Sequence, residues 1–190
     1  MSESLGNSTL GEVLGGYVKV FPDEEDRIDR LRDSIERDKP LNNRRNFNGH
    51  ITGSGIVLSP DRHKIALVYH RLFRLWQQPG GHWEGDYDPL AAAKRETTEE
   101  TGLKIISYLP VDSDAPLVPL DIDTHQVLAR PEKEEPPHYH YDWRYVLIAG
   151  GVRLTAQAEE VTGAIWVPVD DPRTSRFAIC IAKLHELGIA

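Results

Sequence analysis

Several features that define whole classes of protein are scarce or missing in this sequence. Cysteine occurs once among the 190 residues, at Cys180, which excludes a disulfide framework and a zinc site built from cysteines. No apolar run reaches the roughly 20 residues that a membrane-spanning helix needs. Basic residues are outnumbered, with 22 Lys and Arg against 30 Asp and Glu and a net charge of −8. The chain therefore lacks the basic surface with which proteins bind nucleic-acid polymers or anionic membranes. Because the N-terminal segment also lacks the basic and apolar regions of a signal peptide, we expect a cytoplasmic protein.

The spacing of apolar residues predicts an α/β (α+β) protein made of two parts. Residues 1–46 form an N-terminal helical extension, expected to be a structural cap of two helices on either side of Pro22. Residues 47–190 form the main domain, in which apolar runs bounded by turn residues predict strands and one long helix precedes Gly102. The predicted strands are 50–58, 64–70, 103–110, 117–129, 140–149 and 163–168, and the predicted helices are 89–101 and about 175–187.

Three glutamates on the predicted helix 89–101 carry the strongest chemical signal. Glu96, Glu99 and Glu100 stand at positions i, i+3 and i+4, so their carboxylates point the same way and repel one another. A hard divalent cation such as Mg²⁺ or Mn²⁺ would reverse that repulsion, because it prefers oxygen ligands. The preceding loop contains Gly80 and Gly81, whose small size lets backbone carbonyls approach a ligand. The alternative is a solvated acidic helix face, which the glutamates alone would favour.

The segment from Gly81 to Leu103 resembles the Nudix box. That motif reads Gly, five residues, Glu, seven residues, Arg-Glu-aliphatic-any-Glu-Glu-any-Gly-aliphatic. The residues that match it are Gly81, Arg95, Glu96, Glu99, Glu100, Gly102 and Leu103. Residues 76–81 and 165–170 also resemble segments of the family, so the resemblance covers roughly residues 47–172. It implies an αβα sandwich with a mixed sheet, and hydrolysis of a diphosphate bond in a nucleoside diphosphate derivative or a similar small molecule.

Two positions depart from the motif. Tyr87 stands where the family has its first glutamate, a residue that often hydrogen-bonds the arginine of the box. Asp86, Asp88 or Glu84 could substitute for it by a shift of register. Thr97 replaces an aliphatic residue, and its methyl group can still pack.

The resemblance also implies roles for individual residues. Gly81, through its carbonyl, and Glu96, Glu99 and Glu100 are expected to hold one to three Mg²⁺ or Mn²⁺ ions. Glu99 and Glu96 are the candidates for the general base, and Arg95 supports them. A base outside the box is the other option, for which Glu159 and Glu160 lie in a suitable place; ordinary loop charge is the favoured explanation for those two.

A second group of polar residues alternates along the strand predicted at 140–149. His138, His140, Asp142 and Arg144 share one face of it. We predict substrate contacts for His140 and Arg144, and for Arg74, which lies just before the box. A separate transition-metal site on this face ranks lower, because imidazoles from one strand converge poorly on one ion. The other expectations are that His50 and His70 are structural, and that Trp76 and Trp83 belong to the core unless they stack on a base.

Three other functions are compatible with parts of the sequence. A non-catalytic Nudix-fold module that binds or senses a nucleotide is favoured only by Tyr87. A diphosphate isomerase on the same fold would need a cysteine from an early strand, whereas Cys180 lies in the tail. An acidic scaffold protein would leave the spacing from Gly81 to Leu103 unexplained. The expected partner is a small-molecule diphosphate, its identity left open, and the chain is expected to be a monomer or a homodimer.

Overall fold

The computed structural model describes residues 5–37, 40–156 and 161–190, which form a mixed sheet with helices on both faces. The helices are α1 Asn7–Val20, α2 Asp29–Glu36, α3 Pro89–Thr101 and α4 Ala178–Glu186. Three 3₁₀ segments occupy Pro22–Ile28, Pro131–Lys133 and Pro172–Phe177. The strands are β1 His50–Leu58, β2 Lys64–His70, β3 Leu75–Gln77, β4 Gly80–His82, β5 Ile105–Leu109, β6 Asp121–Val127, β7 His138–Ala149 and β8 Val161–Pro168.

The centre of the sheet is a parallel pair, β1 and β7, joined from His50 opposite His140 to Leu58 opposite Ile148. The other edge of β1 pairs antiparallel with β4 near its start and with β2 near its end. The other edge of β7 is likewise shared by β6 and β5, while β3 and β8 extend the sheet from β2. Both central strands are therefore covered on both edges, which buries β1 along its whole length.

The two faces of the sheet have separate apolar cores. Alternate residues of β1 and β7, such as Ile51 and Trp143, pack with α1, α2 and α3 on one face. Residues of the opposite parity, such as Ile56 and Val146, pack with α4 on the other. Because side chains alternate across a strand, one sequence supplies both layers. This arrangement confirms the α/β fold class and the mixed sheet predicted from the sequence.

Glycines in β1 let α3 lie unusually close to the sheet. A Cβ atom at Gly53 would come 2.9 Å from the backbone nitrogen of Ala93, and one at Gly55 would come 2.7 Å from Oγ1 of Thr97. Carbon atoms do not approach backbone atoms this closely without displacement, so larger residues would push the helix away. The close packing fixes the position of α3, and with it the position of its carboxylates.

The ends of α3 agree with the sequence prediction. Asp88 caps its N-terminus by accepting a 2.7 Å hydrogen bond from the backbone nitrogen of Ala91, and Pro89 takes the first helical position. Gly102 ends the helix with a φ of 68°, which is the left-handed conformation that favours glycine.

Other boundaries differ from the prediction. The strand predicted at 117–129 is limited to β6, since Pro119 lacks the backbone donor that a paired strand needs. The segment predicted as a glycine-rich loop contains β4, and β3 precedes it. The second helix of the extension and the final helix both begin later than predicted, after 3₁₀ segments that start at Pro22 and Pro172.

The N-terminal helices share a core with the sheet. Leu10, Tyr17 and Leu31 are fully buried in the same cluster as Ile51 and Trp143. The boundary at 46/47 between an extension and a main domain stays a prediction. Across the described residues, no helix combines the length and apolar character needed to cross a membrane.

Candidate metal and substrate site

Two of the predicted metal ligands, Glu96 and Glu100, contact the glycine loop where α3 crosses β4. Gly81 lies opposite Gly53 in the β1–β4 pair, on the face that α3 covers. The carboxylate of Glu96 lies directly against it, so that a Cβ atom at position 81 would overlap with that carboxylate. A larger residue at position 81 would therefore displace the Glu96 carboxylate, which gives a physical reason why the glycine and the glutamate occur in one motif.

Arg95 connects the carboxylates of this region. Its Nη1 donates to Oε1 of Glu96 at 2.9 Å and to Oε2 of Glu99 at 3.1 Å. Its Nη2 donates to the backbone carbonyl of His82 at 3.0 Å. The guanidinium therefore links the glutamates of α3 to the backbone of β4 and limits the directions in which those glutamates can point.

Asp86 accepts the remaining hydrogen bonds of the Arg95 guanidinium. Its Oδ2 accepts from Nη2 and Nε of Arg95 at 2.9 and 3.1 Å, and its Oδ1 lies 3.3 Å from Nε. The neighbouring Tyr87 is half exposed, and Asp88 is the helix cap. Of the three acidic residues that the sequence left open, Asp86 therefore makes the contact with the box arginine. The turn is set by Gly85, which has a φ of 73°, and by a 3.0 Å hydrogen bond from Nε1 of Trp83 to the Asp86 carbonyl.

The three glutamates differ in exposure. Glu99 leaves 55% of its side chain exposed, whereas Glu96 leaves 20%. Burial raises the pKa of Glu96, and the positive charge of Arg95 acts in the opposite direction. Glu100 is almost fully buried, and its Oε2 accepts a 3.0 Å hydrogen bond from the backbone nitrogen of Gly80. Glu100 thus fixes the glycine loop, while Glu96 and Glu99 face the more open side.

The donor set fits a hard divalent cation. The glutamates of α3 and the carbonyl of Gly81 offer only oxygen atoms, which are the ligands that Mg²⁺ and Mn²⁺ prefer. Glu159 and Glu160, the alternative candidates for a base, lie outside the described residues.

The opposite face of the sheet carries a buried polar network around Asp142. Thr52 and Ser54 of β1 donate to its Oδ1 at 3.0 and 2.7 Å. Arg144 and Gln78 donate to its Oδ2 at 3.0 and 3.2 Å. Every lone-pair direction of this carboxylate faces a donor, as a buried charge requires.

Arg144, one of the predicted substrate contacts, belongs to this network. Only 8% of the residue is exposed, and each of its three nitrogens is paired. Nε donates to Asp142 at 3.0 Å, Nη1 to Asp121 at 3.1 Å and Nη2 to Asp123 at 2.9 Å. These contacts favour a structural role in the sheet, and the substrate contact stays a prediction.

His140, the second predicted substrate contact, lies in a cluster of imidazoles. His50 on β1, His140 on β7 and His125 on β6 are opposite one another in register. His82 on β4 and His138 on β7 complete the cluster, with ring centroids 5.2 and 5.1 Å from that of His140. Burial, followed by the neighbouring imidazoles, lowers the pKa of His140, and burial lowers that of His50 to about 4. Both rings are therefore neutral at neutral pH.

This cluster was not predicted from the sequence, in which only His138 and His140 are close neighbours. Imidazoles from β1 and β4 join those of β7 through strand pairing, which local spacing does not show. His50, expected to be structural, is among them. His-x-His at 138–140 and the histidine directly after Gly81 were the available signals.

The remaining candidates lie elsewhere. Arg74 is exposed in the turn between β2 and β3, with a φ of 54°, and its predicted substrate contact stays a prediction. Trp83 is buried in the core that contains α3, whereas Trp76 is half-buried and packs edge-on against Tyr69. Trp83 is thus a core residue, in agreement with the preferred expectation.

Comparison with known proteins places the fold among solved hydrolases. A crystal structure of a NUDIX-family hydrolase from Clostridium perfringens matches with a TM-score of 0.55 and 22% identity, covering 74% of this chain and 97% of that one. The MutT NUDIX hydrolase from Burkholderia pseudomallei matches with a TM-score of 0.52 and 16% identity, covering 72% and 98%. The dihydroneopterin triphosphate pyrophosphohydrolase of E. coli matches with a TM-score of 0.51 and 14% identity, covering 74% and 96%. At these identities the likeness concerns the fold alone.

Sequence comparison supplies the family. No curated protein matches the chain. The family model described as the NUDIX domain matches residues 49–186, most of the chain, including the whole of α3 and the glycine loop before it. This chain belongs to the Nudix family.

Proposed function

We propose that this chain is a divalent-metal-dependent hydrolase that cleaves a diphosphate bond in a small molecule, a nucleoside diphosphate derivative or a similar compound. One observation carries the proposal. The carboxylates of Glu96 and Glu99 share the guanidinium of Arg95, and the Glu96 carboxylate occupies the space that a side chain at position 81 would fill. An oxygen-only site with a backbone carbonyl and several carboxylates is suited to Mg²⁺ or Mn²⁺ shared with substrate phosphates.

The residues of the site divide the work. Glu96, Glu99, Glu100 and the carbonyl of Gly81 hold the cations, which when bound neutralise phosphate charge and lower the pKa of a bound water. Glu99 is the more exposed of the two candidate bases and therefore the more accessible to a proton from water. Arg95, anchored by Asp86, keeps Glu96 and Glu99 oriented, and Glu100 keeps the glycine loop in place.

The proposed substrate is an anionic diphosphate, and one side chain is proposed to contact it. The chain carries a net charge of −8, so an anionic diphosphate depends on cations for local neutralisation. Arg74 remains a proposed contact, whereas His140 lies on the sheet face opposite α3, and its substrate contact stays a prediction from the sequence. Arg144 is proposed to have a positioning role, because its guanidinium holds the carboxylates of Asp142, Asp121 and Asp123 in place.

Glu100→Gln tests the proposal. The amide keeps an oxygen that can accept from the Gly80 nitrogen, so the loop has a partner, while the negative charge is lost. We expect Mg²⁺- or Mn²⁺-dependent release of product from a diphosphate substrate to fall by about 100-fold or more, the scale associated with removing one charge-stabilising group. The matched control is Glu186→Gln, on the exposed end of α4, which should leave activity unchanged. Full activity in Glu100→Gln would contradict the proposal. Specific binding of nucleotides by the unaltered protein without turnover would favour the non-catalytic module instead.

A further inference from the structure

We propose that His50, His82 and His140 form a second metal site, which takes a transition-metal dication of the Zn²⁺ type. It lies on the sheet face opposite α3, separate from the glutamates of the Nudix box. The site ties three strands together at one point.

The geometry of the three side chains suits one ion. Each offers a ring nitrogen, and the three nitrogens all lie within 4.8 Å of one another. In a tetrahedral zinc site with Zn–N distances of about 2.0–2.1 Å, two ligand nitrogens lie about 3.3 Å apart. Binding would therefore draw nitrogens that lie up to 4.8 Å apart to about 3.3 Å.

Strand pairing explains why the three meet. His50 and His140 are directly opposite each other in the parallel pair of β1 and β7. His82 lies opposite Thr52 on the other edge of β1, two residues along, and its side chain emerges on the same face. Ring centroids confirm the convergence, with 4.7 Å between His50 and His140 and 5.2 Å from His82 to each.

His50 carries a nitrogen that has no partner. The residue is 1% exposed, and its Nε2 is one of the few buried side-chain atoms in the described residues that make no hydrogen bond. Its Nδ1 lies 3.3 Å from the carbonyl of Asn46 and donates to it, because a carbonyl can only accept. Nε2 is then left with a lone pair inside the protein. A buried polar atom without a partner is costly, and a metal ion at this point would satisfy it.

His138 orients His140 from the side. Nδ1 of His138 donates to the carbonyl of Pro136 at 2.8 Å, which leaves its Nε2 to accept a hydrogen bond from Nε2 of His140 at 3.2 Å. The other nitrogen of His140 consequently keeps its lone pair. Outer hydrogen bonds of this kind fix the tautomer and the ring orientation of metal-binding histidines.

The donor set separates this site from the glutamates of α3. Three neutral imidazoles favour Zn²⁺, Co²⁺, Ni²⁺ or Cu²⁺ over Mg²⁺, which prefers oxygen. Three protein ligands leave a fourth position for water. Because His82 directly follows Gly81 in β4, an ion here would hold the short strand that carries Gly81 against β1 and β7.

The test is a titration of the metal-free protein with Co²⁺, in excess Mg²⁺, followed by visible absorption. We expect one equivalent to bind with the intense bands of four- or five-coordinate Co²⁺, and Zn²⁺ to displace it. His82→Gln, at a partly exposed position, should weaken binding by more than the roughly 10–100-fold typical of losing an outer-shell partner. His140→Gln should do the same. His63→Gln, in the exposed turn before β2, is the matched control and should bind as the unaltered protein does.

Two further measurements keep the outcomes distinct. Zn²⁺ should raise the thermal unfolding midpoint of the unaltered protein and of His63→Gln, but not that of His82→Gln. Glu96→Gln should keep the Co²⁺ bands, since they do not arise from the box; their loss in Glu96→Gln, with binding intact in His82→Gln and His140→Gln, would overturn the proposal. Absence of the bands in the unaltered protein would overturn it as well. Failure of the diphosphatase assay would leave this result unaffected, so the two proposals are tested independently.

Discussion

Among single residues, Asp86 shows that the acidic residue of the Nudix box can lie one position earlier and still contact the arginine of the box. The Nudix box has a glutamate at the position of Tyr87, one residue later in the chain. Gly85, with its positive φ, turns the backbone so that the carboxylate of Asp86 reaches two nitrogens of Arg95. Charge-assisted pairs of this two-point kind are stronger and more directional than single hydrogen bonds.

Asp86→Asn is expected to lower activity by about tenfold or more. The amide keeps an oxygen that can accept these hydrogen bonds but loses the negative charge, and a hydrogen bond to a charged group contributes roughly 1.5–3 kcal/mol. With Arg95 less constrained, Glu96 and Glu99 lose their fixed orientation. Steady-state kinetics at saturating Mn²⁺ measures the effect. Tyr87→Phe is the control, because the Tyr87 side chain is half exposed, and it should change activity little. Equal losses of activity in both variants would show that the Asp86–Arg95 contact does not account for the effect.

Local periodicity and tertiary pairing explain which site residues the sequence could predict. The spacing of Arg95, Glu96 and Glu99 along one helix predicts that their side chains are neighbours, and Arg95 contacts both glutamates. From the sequence, three acidic residues could be the partner of Arg95. The backbone turn at Gly85 determines which of them reaches the guanidinium, and that turn is visible only in the structure. The histidine cluster depends on which strands pair, and such pairing joins residues far apart in the sequence.

Among helices and strands, those with strong local sequence signals are the ones that the sequence predicts correctly. Helix α3 has a capping aspartate, a first-turn proline and a terminating glycine, and both its predicted ends are confirmed. Strands β3 and β4 contain three residues each and lie in a sequence rich in Gln, Pro and Gly. Pairing of β3 with β2 and of β4 with β1 stabilises their extended conformation, so no local sequence pattern predicts these strands.

Helix α4 is joined to the N-terminal segment by a buried charge. Nζ of Lys183, 4% exposed, donates to Asp121 at 3.0 Å, to Glu24 at 2.8 Å and to the hydroxyl of Tyr17 at 3.0 Å. Lys183→Met would leave those carboxylates short of a cation. Removing one partner from a buried ion pair costs about 3–5 kcal/mol, and we expect a loss toward the lower value because Arg144 and Arg27 still contact Asp121.

Urea denaturation measures this loss as a lower free energy of unfolding. Lys19→Met, at an exposed position of α1, is the matched control and should lie within about 0.5 kcal/mol of the unaltered protein. If Lys183→Met proved as stable as Lys19→Met, the link between α4 and the N-terminal segment would contribute nothing to stability.

At the scale of the whole molecule, two chemically different groups lie on opposite faces of one sheet. Oxygen donors on α3 face the glycine loop from one side, and imidazoles collect on the other side of the same short strand β4. Because acidic residues are in excess, the proposed diphosphate substrate would depend on bound cations and a few basic side chains for neutralisation. We therefore propose that cations at the glutamates permit cleavage of a diphosphate.

³¹P NMR tests that claim most directly, because it follows the diphosphate bond itself. The unaltered protein would be incubated with ADP-ribose, nucleotide sugars, dinucleoside polyphosphates and non-nucleotide diphosphates, each in the presence of Mg²⁺ or Mn²⁺. In a second set of samples, a chelator would remove the metal during the incubation. Chelator would also be added to every sample before its spectrum is recorded. We predict that the diphosphate resonances of at least one compound are replaced by phosphomonoester resonances, and that conversion stops on chelation. Persistence of all the diphosphate resonances in the presence of either metal, for compounds that the protein demonstrably binds, would contradict it.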